Sequence, residues 1–556
     1  MQLDPTFAGG YYLSIVLLIF IVILSIRYQT IQVWRYFSRN RWPVLIDLPT
    51  TSREKAGKLA AYEANGEVGR MSVAVVPESH IMYSTVSVWM HKIWNSAFHF
   101  VGFESMEFNE LVLLLLFITL NLVFLLLPFE NGVSTASNLV NRAAHVALAN
   151  SAFVFPLATR NSVFVTLIGV PFERIIKFHR WTGRMIFFMI ALHGGTHIQQ
   201  QYSATKSINQ ALFGDSQYLT GSLAFLSIII IVIMSHAVIR RFAFEAFWWS
   251  HFTFIFFIIF GVLHNEWFAP YVAFGISLYV VDRLIRFVKS NIKSIKIVNI
   301  EPIQTGVTRV VFERDMHYEA GQYAFVNFPN LNAPLSLVTW HPVSISSAPS
   351  IEDDGIPLHT VHLKAAGGFT KKLYEKARNQ SGMSPGVLKM KFDGPYGKPS
   401  LEFSEQRTVM LVAGGIGVTP MISILRDLVD KQLSGLPLAT QAIYFIWVVP
   451  DIDSYAWFAS ELQELLHRAS ALPDNKYIID VKVFLTRSQT TPSSIFFQGR
   501  PSFDFLLKSV KDFHGSGDIA VGVCGPAVMI KEVKNSAMAR SDRYGLVNVH
   551  SETYEL

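Results

Sequence analysis

The chain has 556 residues, 51% of them apolar and only 16% charged, with a mean hydropathy of +0.33. A soluble globular chain carries about 25% charged residues, so much of this one has a solvent other than water, and its length calls for two or three domains. The net charge of +6 lacks the basic and aromatic interleaving of a nucleic-acid groove and suits an anionic membrane face, while the single cysteine, Cys524, excludes internal disulfides and Cys-held zinc or iron–sulfur sites.

Hydropathy divides the chain near residue 290, with long apolar runs before it and short β-branched strands after it. The first run, Tyr11–Ile26, has no basic flank before it and no small-residue cleavage site after it, and reads as an anchor rather than a removed signal. A polar, basic stretch follows over 27–107, with Arg27, Arg35, Arg39, Arg41, Arg53, Lys55 and Lys58. Six further runs are expected to cross the bilayer: Glu110–Pro128, Ala143–Thr159, Thr182–Ile198, Leu223–Val238, Phe247–Leu263 and Trp267–Val281. Arg and Lys gather in alternate loops (27–107, 160–184, 240–241 and after 281), which predicts an N-terminus outside and a C-terminal half in the cytosol.

Ionisable residues inside spans are costly and are functional candidates by default. The fourth span carries His179, His193 and His197; the sixth begins at His251 and ends at His264. Fourteen residues put His179 and His193 within about 40° of one helix face and about 21 Å apart along the axis. Two such helices side by side would make two His–His pairs at two depths, each able to supply both axial ligands of a haem. The thirteen residues from His251 to His264 fit less well, because an ideal helix turns the second about 140° from the first. The sixth span must be locally overwound or rotated, and periodicity alone would not select His264. His197, one turn beyond His193, is an alternative ligand. His145 and His236 have no matching partner and read as structural or as contacts to a haem propionate.

Beyond 295 the segments 307–313, 323–328, 359–365 and 388–392 predict a small antiparallel barrel. Within it, Trp340–Pro349 (WHPVSISSAP) sets a rigid His-Pro turn beside the hydroxyls Ser344, Ser346 and Ser347, suited to flavin oxygens. Lys364–Thr370 (KAAGGFT) brings glycines to a helix N-terminus, an anion site for a pyrophosphate. Each element taken singly is also an ordinary turn. From 408 onward strands and helices alternate, which predicts a doubly wound parallel sheet with the loop Gly414–Pro420 (GGIGVTP) after its first strand and Cys524–Pro526 after its last.

The ordered set DGPYG at 393–397, GGIGVTP at 414–420 and CGP at 524–526 resembles the ferredoxin-reductase type of flavin and NADPH domains. Joined to FHRWTGR at 178–184 and RFAFEAFWWSH at 241–251, it resembles the ferric reductase/NADPH oxidase superfamily over roughly 108–556, and looks most like fungal ferric/cupric-chelate reductases. The resemblance implies a multi-domain fold: an α-helical transmembrane bundle of six core spans plus one N-terminal span, then an antiparallel β-barrel FAD domain and an α/β doubly wound NADPH domain. The expected boundaries are an anchor over 1–28, a cytosolic basic loop over 29–107, a di-haem domain over 108–290, the FAD barrel over 291–403 and the NADPH domain over 404–556.

The resemblance further implies two haem b groups, with His179/His251 on the inner iron and His193/His264 on the outer. It assigns FAD to His341, Pro342, Val343, Ser344, Ser346, Ser347, Lys364, Gly368, Phe369 and Thr370. It assigns NADPH to Gly414, Gly415, Gly417, Val418, Thr419, Pro420, Cys524, Gly525 and Pro526, with Arg487 and Arg500 on the 2′-phosphate. Val343, Ser344 and Gly368 depart from the usual family pattern, and Tyr554 either stacks on the flavin ring or belongs to an exposed tail. The expected activity is electron transfer from cytosolic NADPH to an acceptor outside, with the plasma membrane as the expected location. The acceptors are ferric or cupric chelates, or oxygen in the superoxide-generating alternative. A transporter with a nicotinamide-sensing domain and a haem scaffold without its own catalysis are the readings from other classes. The bilayer is the expected partner, and nucleic acid is not.

Overall fold

The computed structural model describes residues 8–39, 83–95, 97–98, 106–127, 136–161, 163–292, 295–331, 340–349, 356–379, 388–436, 438–472, 477–488, 495–515 and 517–552. Tyr554 and most of the basic loop, including Arg41, Arg53, Lys55 and Lys58, lie outside these residues. Contacts divide the chain into two units, Met1–Trp42 with Ala97–Phe287 and Pro43–Ser96 with Val288–Leu556.

The first unit is helical: α1 (Ala8–Arg39), α2 (Phe108–Leu126), α3 (Ala136–Val154), α4 (Phe172–Thr205), α5 (Ser216–Met234), α6 (Phe244–His251), α7 (Phe254–His264) and α8 (Phe268–Ile292), whose last turn belongs to the second unit. Among the described residues five stretches are long and apolar enough to cross a membrane: Gly10–Thr30, Phe108–Leu126, Ser216–Met234, Phe244–His264 and Phe268–Asn291. Helices α3 and α4 are more polar: α3 buries Arg142, His145 and Asn150, and α4 carries Glu173, Arg174, Lys177, Arg180 and Arg184 in its first half. Asn150 donates to Asn121 Oδ1 at 2.6 Å and to Val146 O at 2.8 Å, so the N–H groups of this buried amide are satisfied within the bundle. At one end Lys177 closes on Glu110 at 2.9 Å, and the backbone N–H of Asn161 donates to Asp282 at 2.9 Å.

The expected sixth span is two helices. The N–H groups of Phe252, Thr253 and Ile255 bond to carbonyls three residues back, a tight 3₁₀-type turn between α6 and α7. Such residues advance about 120° instead of 100°, so the three of them add roughly 60°. The 140° misfit between His251 and His264 shrinks to about 80°, nearer to the offset of about 40° from His179 to His193.

The second unit begins with six strands: β1 (Lys296–Ile303), β2 (Val307–Glu313), β3 (Tyr323–Asn327), β4 (His341–Ser344), β5 (Leu358–Lys364) and β6 (Lys391–Tyr396). These form two three-stranded antiparallel sheets, β1-β2-β5 and β4-β3-β6, joined by the isolated bridge between Ile345 and Val361. Val310, Phe312, Ala324, Val326, Phe328, Leu373 and Phe392 fill the space between the sheets and α9 (Gly368–Asn379).

The last part is a six-stranded, all-parallel sheet. It comprises β7 (Thr408–Gly414), β8 (Ala442–Val449), β9 (Ile478–Leu485), β10 (Phe496–Gln498), β11 (Ile519–Cys524) and β12 (Val547–Glu552), in the order β10-β9-β8-β7-β11-β12. Alternate residues of β7 serve opposite faces: Val409, Leu411 and Ala413 pack on one, Met410 and Val412 on the other. Helices α10 (Val418–Leu433) and α11 (Ala459–Ala469) belong to the first face, and α12 (Phe503–His514) and α13 (Ala527–Arg540) to the second.

Candidate functional site

In the helical unit the four expected histidines meet in two pairs. The ring centres of His179 and His251 are 6.2 Å apart, and those of His193 and His264 are 6.3 Å apart. Two imidazole nitrogens, each about 2.0 Å from one metal, put ring centres about 6.3 Å apart once the ring radii of about 1.1 Å are added. Both pairs therefore have room for one iron between them.

The other ring nitrogens are tied down. Nδ1 of His179 lies 2.8 Å from Val154 O, Nδ1 of His193 3.1 Å from Val140 O, and Nδ1 of His264 3.0 Å from Gln217 O. A carbonyl only accepts, so each Nδ1 carries the proton and each Nε2 is left as a ligand lone pair. His251 Nδ1 is 3.3 Å from Ser235 Oγ. A Cβ on Gly183 or Gly194 of α4 would meet nothing within 4 Å, so the helix is open one turn past His179 and next to His193. Residues and space thus suit a planar group held through two nitrogens per iron.

His197 lies beside its neighbour, with ring centres 4.6 Å apart, while the ring across the gap from His264 is that of His193. His236 caps the short helix Ala237–Phe242 by accepting from Val238 N, a structural role. Arg142 and His145 are buried, and Arg142 Nη1 donates to Leu126 O at 3.4 Å.

Gly221 belongs to the site without any motif to announce it. A Cβ there would lie 2.9 Å from Cε1 and 3.0 Å from Nδ1 of His264, so only glycine leaves the ring where it is. A glycine within an apolar helix is the one signal that could have found it. Gly221→Ala is expected to lower haem retention at the second histidine pair by about 10- to 100-fold, as changes to groups that support a metal ligand do. The haem-to-protein ratio of the purified variant, read by absorbance, checks this.

In the sheet unit, α9 starts at Gly368 with its first N–H groups free of helix partners, the usual setting for an anion. Thr370 Oγ1 accepts from the N–H groups of Ala366 and Gly367, both at 3.1 Å, and so shapes that turn. His341 stacks on Phe369 at 3.8 Å and 17°. Burial pushes the His341 imidazole down to about 4, so it is uncharged at neutral pH, and its buried Nε2 has no hydrogen-bond partner among the described residues. An unpaired buried nitrogen beside a flat ring and a helix N-terminus suits a flavin.

The hydroxyl row divides. Ser344 is buried at the start of it. Ser346 Oγ instead donates to Thr360 O at 2.9 Å and lies 2.9 Å from His362 Nδ1. Ser347 Oγ accepts from Thr360 N at 3.1 Å. The Lys364 ammonium sits over the Trp457 ring at 4.9 Å. Ser346, Ser347 and Lys364 thus have partners within the fold in this structure, with Lys364 joining the small sheets to the parallel sheet.

The same junction holds a buried ion cluster. Arg309 Nε is 3.1 Å and His362 Nε2 3.6 Å from Glu461 Oε1. Burial opposes ionisation of Glu461, but His362 and Arg309 outweigh it and pull the carboxyl from the ordinary 4.5 down to about 2. A folded value below the unfolded one means stability that is present above about pH 4.5 and lost as pH falls towards about 2. Glu461→Gln, which leaves Arg309 without this charge partner, is expected to cost about 2–4 kcal/mol at pH 7 and less at about pH 3. The midpoint of thermal flavin release at the two pH values checks both the cost and its sign.

The nucleotide end lies where the strand order reverses, between β7 and β11. Ligands of doubly wound sheets sit at this switch point, beyond the carboxyl ends of the strands. The Gly414–Gly417 and Cys524–Pro526 loops meet there at close quarters. A Cβ on Gly414 would come within 2.7 Å of Pro526 Cδ, and one on Gly417 within 2.6 Å of Cys524 O. Gly415 has φ +56°, a left-handed conformation that favours glycine, and its carbonyl accepts from Trp447 Nε1 at 3.0 Å. Val418, Thr419 and Pro420 are buried in the first turn of α10, where Thr419 Oγ1 donates to Ile416 O at 3.0 Å. Cys524 is 2% exposed, and burial, aided by Glu552, pushes its thiol well up, so it packs rather than reacts.

Leu485 pairs with Gln498 across β9 and β10, and Arg487 and Arg500 each stand two residues further on. Both are exposed at the carboxyl edge of the same sheet, a matched pair of cations.

Three family models match in order: a ferric reductase like transmembrane component over 143–262, an FAD-binding domain over 291–400, and a ferric reductase NAD binding domain over 406–494 and 489–538. The chain is 26% identical over 364 residues to Ferric reduction oxidase 7, chloroplastic, of Arabidopsis thaliana, covering 62% of this chain and 47% of that one. It is 28% identical over 474 residues to a superoxide-generating NADPH oxidase heavy chain of Dictyostelium discoideum, covering 70% and 64%. Among solved structures, flavohemoglobin from Malassezia yamatoensis aligns with a TM-score of 0.36 at 18% identity, covering 66% of this chain and 96% of that one. The chain spans between 27% and 64% of the length of the curated relatives it matches first. With three family models in order and relatives from both branches, the chain belongs to the ferric reductase/NADPH oxidase superfamily.

Proposed function

We propose that this chain moves electrons from cytosolic NADPH across a membrane to a one-electron acceptor outside, with ferric or cupric chelates as the preferred class. The observation that carries the reading is the pair of histidine gaps, 6.2 and 6.3 Å between ring centres, in the same chain as a flavin and nucleotide module. When bound, FAD would supply hydride acceptance and two haems would supply single-electron passage.

The residues have distinct tasks. The Gly414–Gly417 loop lets the nucleotide phosphates approach the backbone, and Arg487 and Arg500 select the 2′-phosphate. His341 and Phe369 form a flat shelf, and the first turn of α9 holds the pyrophosphate. His179 and His251 would hold the inner iron, and His193 and His264 the outer one. With both ring nitrogens of each pair so used, chelate and oxygen alike would be reduced without binding the iron, and the match to the ferric reductase model supports a chelate as the acceptor.

The direction has support from inside the fold. Tyr83 OH donates to Asp518 at 2.7 Å, and Tyr83 N donates to Arg543 O at 3.0 Å. Tyr83 and the nucleotide domain thus stay together, which supports the sidedness that the basic loops suggest.

The second reading is superoxide production by the same path, favoured by the oxidase among the relatives. The two are separated by NADPH-driven reduction in sealed vesicles, with ferric chelate inside the lumen and superoxide dismutase added or withheld. Dismutase-insensitive iron reduction supports the metalloreductase. Iron reduction that vanishes with dismutase gives the oxidase. A purified protein with no b-type haem spectrum would sink both.

A further inference from the structure

The basic loop before the Phe108–Leu126 helix offers no catalytic motif, but one described piece of it is a ten-residue helix, Thr85–Trp94, capped by Ser84 Oγ accepting from Ser87 N. This helix has two faces. On one side the nucleotide domain holds it: Tyr83 OH donates to Asp518 Oδ2 at 2.7 Å, Tyr83 N donates to Arg543 O at 3.0 Å, and His91 Nε2 lies 3.3 Å from Val547 O. On the other, Val86, Trp89 and Met90 stand 63%, 63% and 57% exposed. At 100° per residue these three fall within an arc of about 100°, the stripe of an amphipathic helix.

Three exposed apolar side chains in a helix that short need a cover, and the chain itself shows which one is near. The helix ends at Asn95, and two residues later Ala97 pairs with Glu107, the N-cap residue of the apolar helix Phe108–Leu126. Trp is the side chain most at home at the headgroup level, with its apolar ring and its N–H. The segment from 35 to 84 carries seven Arg and Lys against five Asp and Glu, a modest basic excess that suits an anionic leaflet.

We propose that Thr85–Trp94 is an interfacial helix whose Val86, Trp89 and Met90 enter the headgroup region of the cytosolic leaflet while Tyr83 and His91 grip the edge of the nucleotide sheet. It tethers that edge to the lipid surface, a role separate from electron transfer and independent of which acceptor is used.

The buried Cys524 makes a clean test possible. It is the only cysteine of the 556 residues and 2% exposed, so a new surface thiol in this chain takes a label alone, which the failure of wild type to label confirms. Trp89→Cys and, separately, Val86→Cys carry an environment-sensitive fluorophore in vesicles containing phosphatidylserine. Lys508→Cys, an exposed site on the nucleotide domain, is the control. Lipids spin-labelled high on the acyl chain should quench the labels at 86 and 89 about threefold more than the control, and aqueous iodide should quench them less. Labels reached by iodide and untouched by lipid quencher would place the face in water and overturn the proposal. Labels shielded from both would show a protein cover, such as a second copy of the chain, and overturn it equally. Agreement of two independent sites guards against one poorly folded variant.

Discussion

Replacing His193 with alanine is expected to reduce transmembrane electron delivery more than about 100-fold, while NADPH still bleaches the flavin at its normal rate. The first half follows from geometry. His193 faces His264 across 6.3 Å, and its Nδ1 is spent on Val140 O, so the lone pair at Nε2 is the one the ring offers to a metal. Loss of even a supporting contact costs metal sites about 10- to 100-fold, and loss of a ligand exceeds that. The second half follows from chain layout: His341, Phe369 and the Gly414–Gly417 loop belong to the other compact unit. Flavin absorbance, the haem spectrum and chelate reduction, measured on one preparation, separate the two. His197, with its ring centre 4.6 Å from that of His193, is the adjacent substitute on the same helix. A variant that keeps full delivery would therefore transfer the ligand role to His197, and His193→Ala/His197→Ala would then be the disabling change.

Arg487→Ala is the second large expectation. Its loss should raise KM for NADPH about 10- to 100-fold, with KM for NADH and kcat little changed. A hydrogen bond to a charged group contributes about 1.5–3 kcal/mol, and each 1.4 kcal/mol is about tenfold. Binding energy at the 2′-phosphate is remote from the hydride and is the same before and during transfer, so it acts on KM. Arg500 follows the neighbouring strand at the same distance from the paired Leu485 and Gln498 as Arg487 does, so Arg500→Ala should act in the same direction and less than additively with it. Initial-rate kinetics with both nucleotides check the ratio. Equal losses for NADPH and NADH would remove these arginines from the phosphate site.

Strong local signals carried most of the fold. The strand over 307–313 has the expected bounds because it is a β-branched run closed by turn residues. The strands at 496–498 and 547–552 and the helix at 527–540 had no such signal. Phe496–Gln498 is three residues long, and Val547–Glu552 is largely polar because it lies at the sheet edge. The histidines were legible as costly residues in apolar runs. Their supports were not: Val154, Val140 and Gln217 act through backbone carbonyls, which every residue has. The hydroxyls of Ser346 and Ser347 show the converse limit. Side-chain chemistry suited to a ligand is equally suited to a sheet junction, and only partners in space tell the two uses apart.

The tight turn at Phe252–Thr253 does more than rotate His264 into line. A 3₁₀ residue rises about 2.0 Å against about 1.5 Å in an α-helix, so thirteen residues with three of them tight climb about 21 Å. The fourteen regular residues between His179 and His193 climb about 21 Å. One turn therefore corrects angle and height together, and two helices of unequal count reach the same rungs. A single residue inserted there would bring the count to fourteen and let a regular helix reach the upper rung without the tight turn. Deleting one residue would leave that rung with no partner at its level.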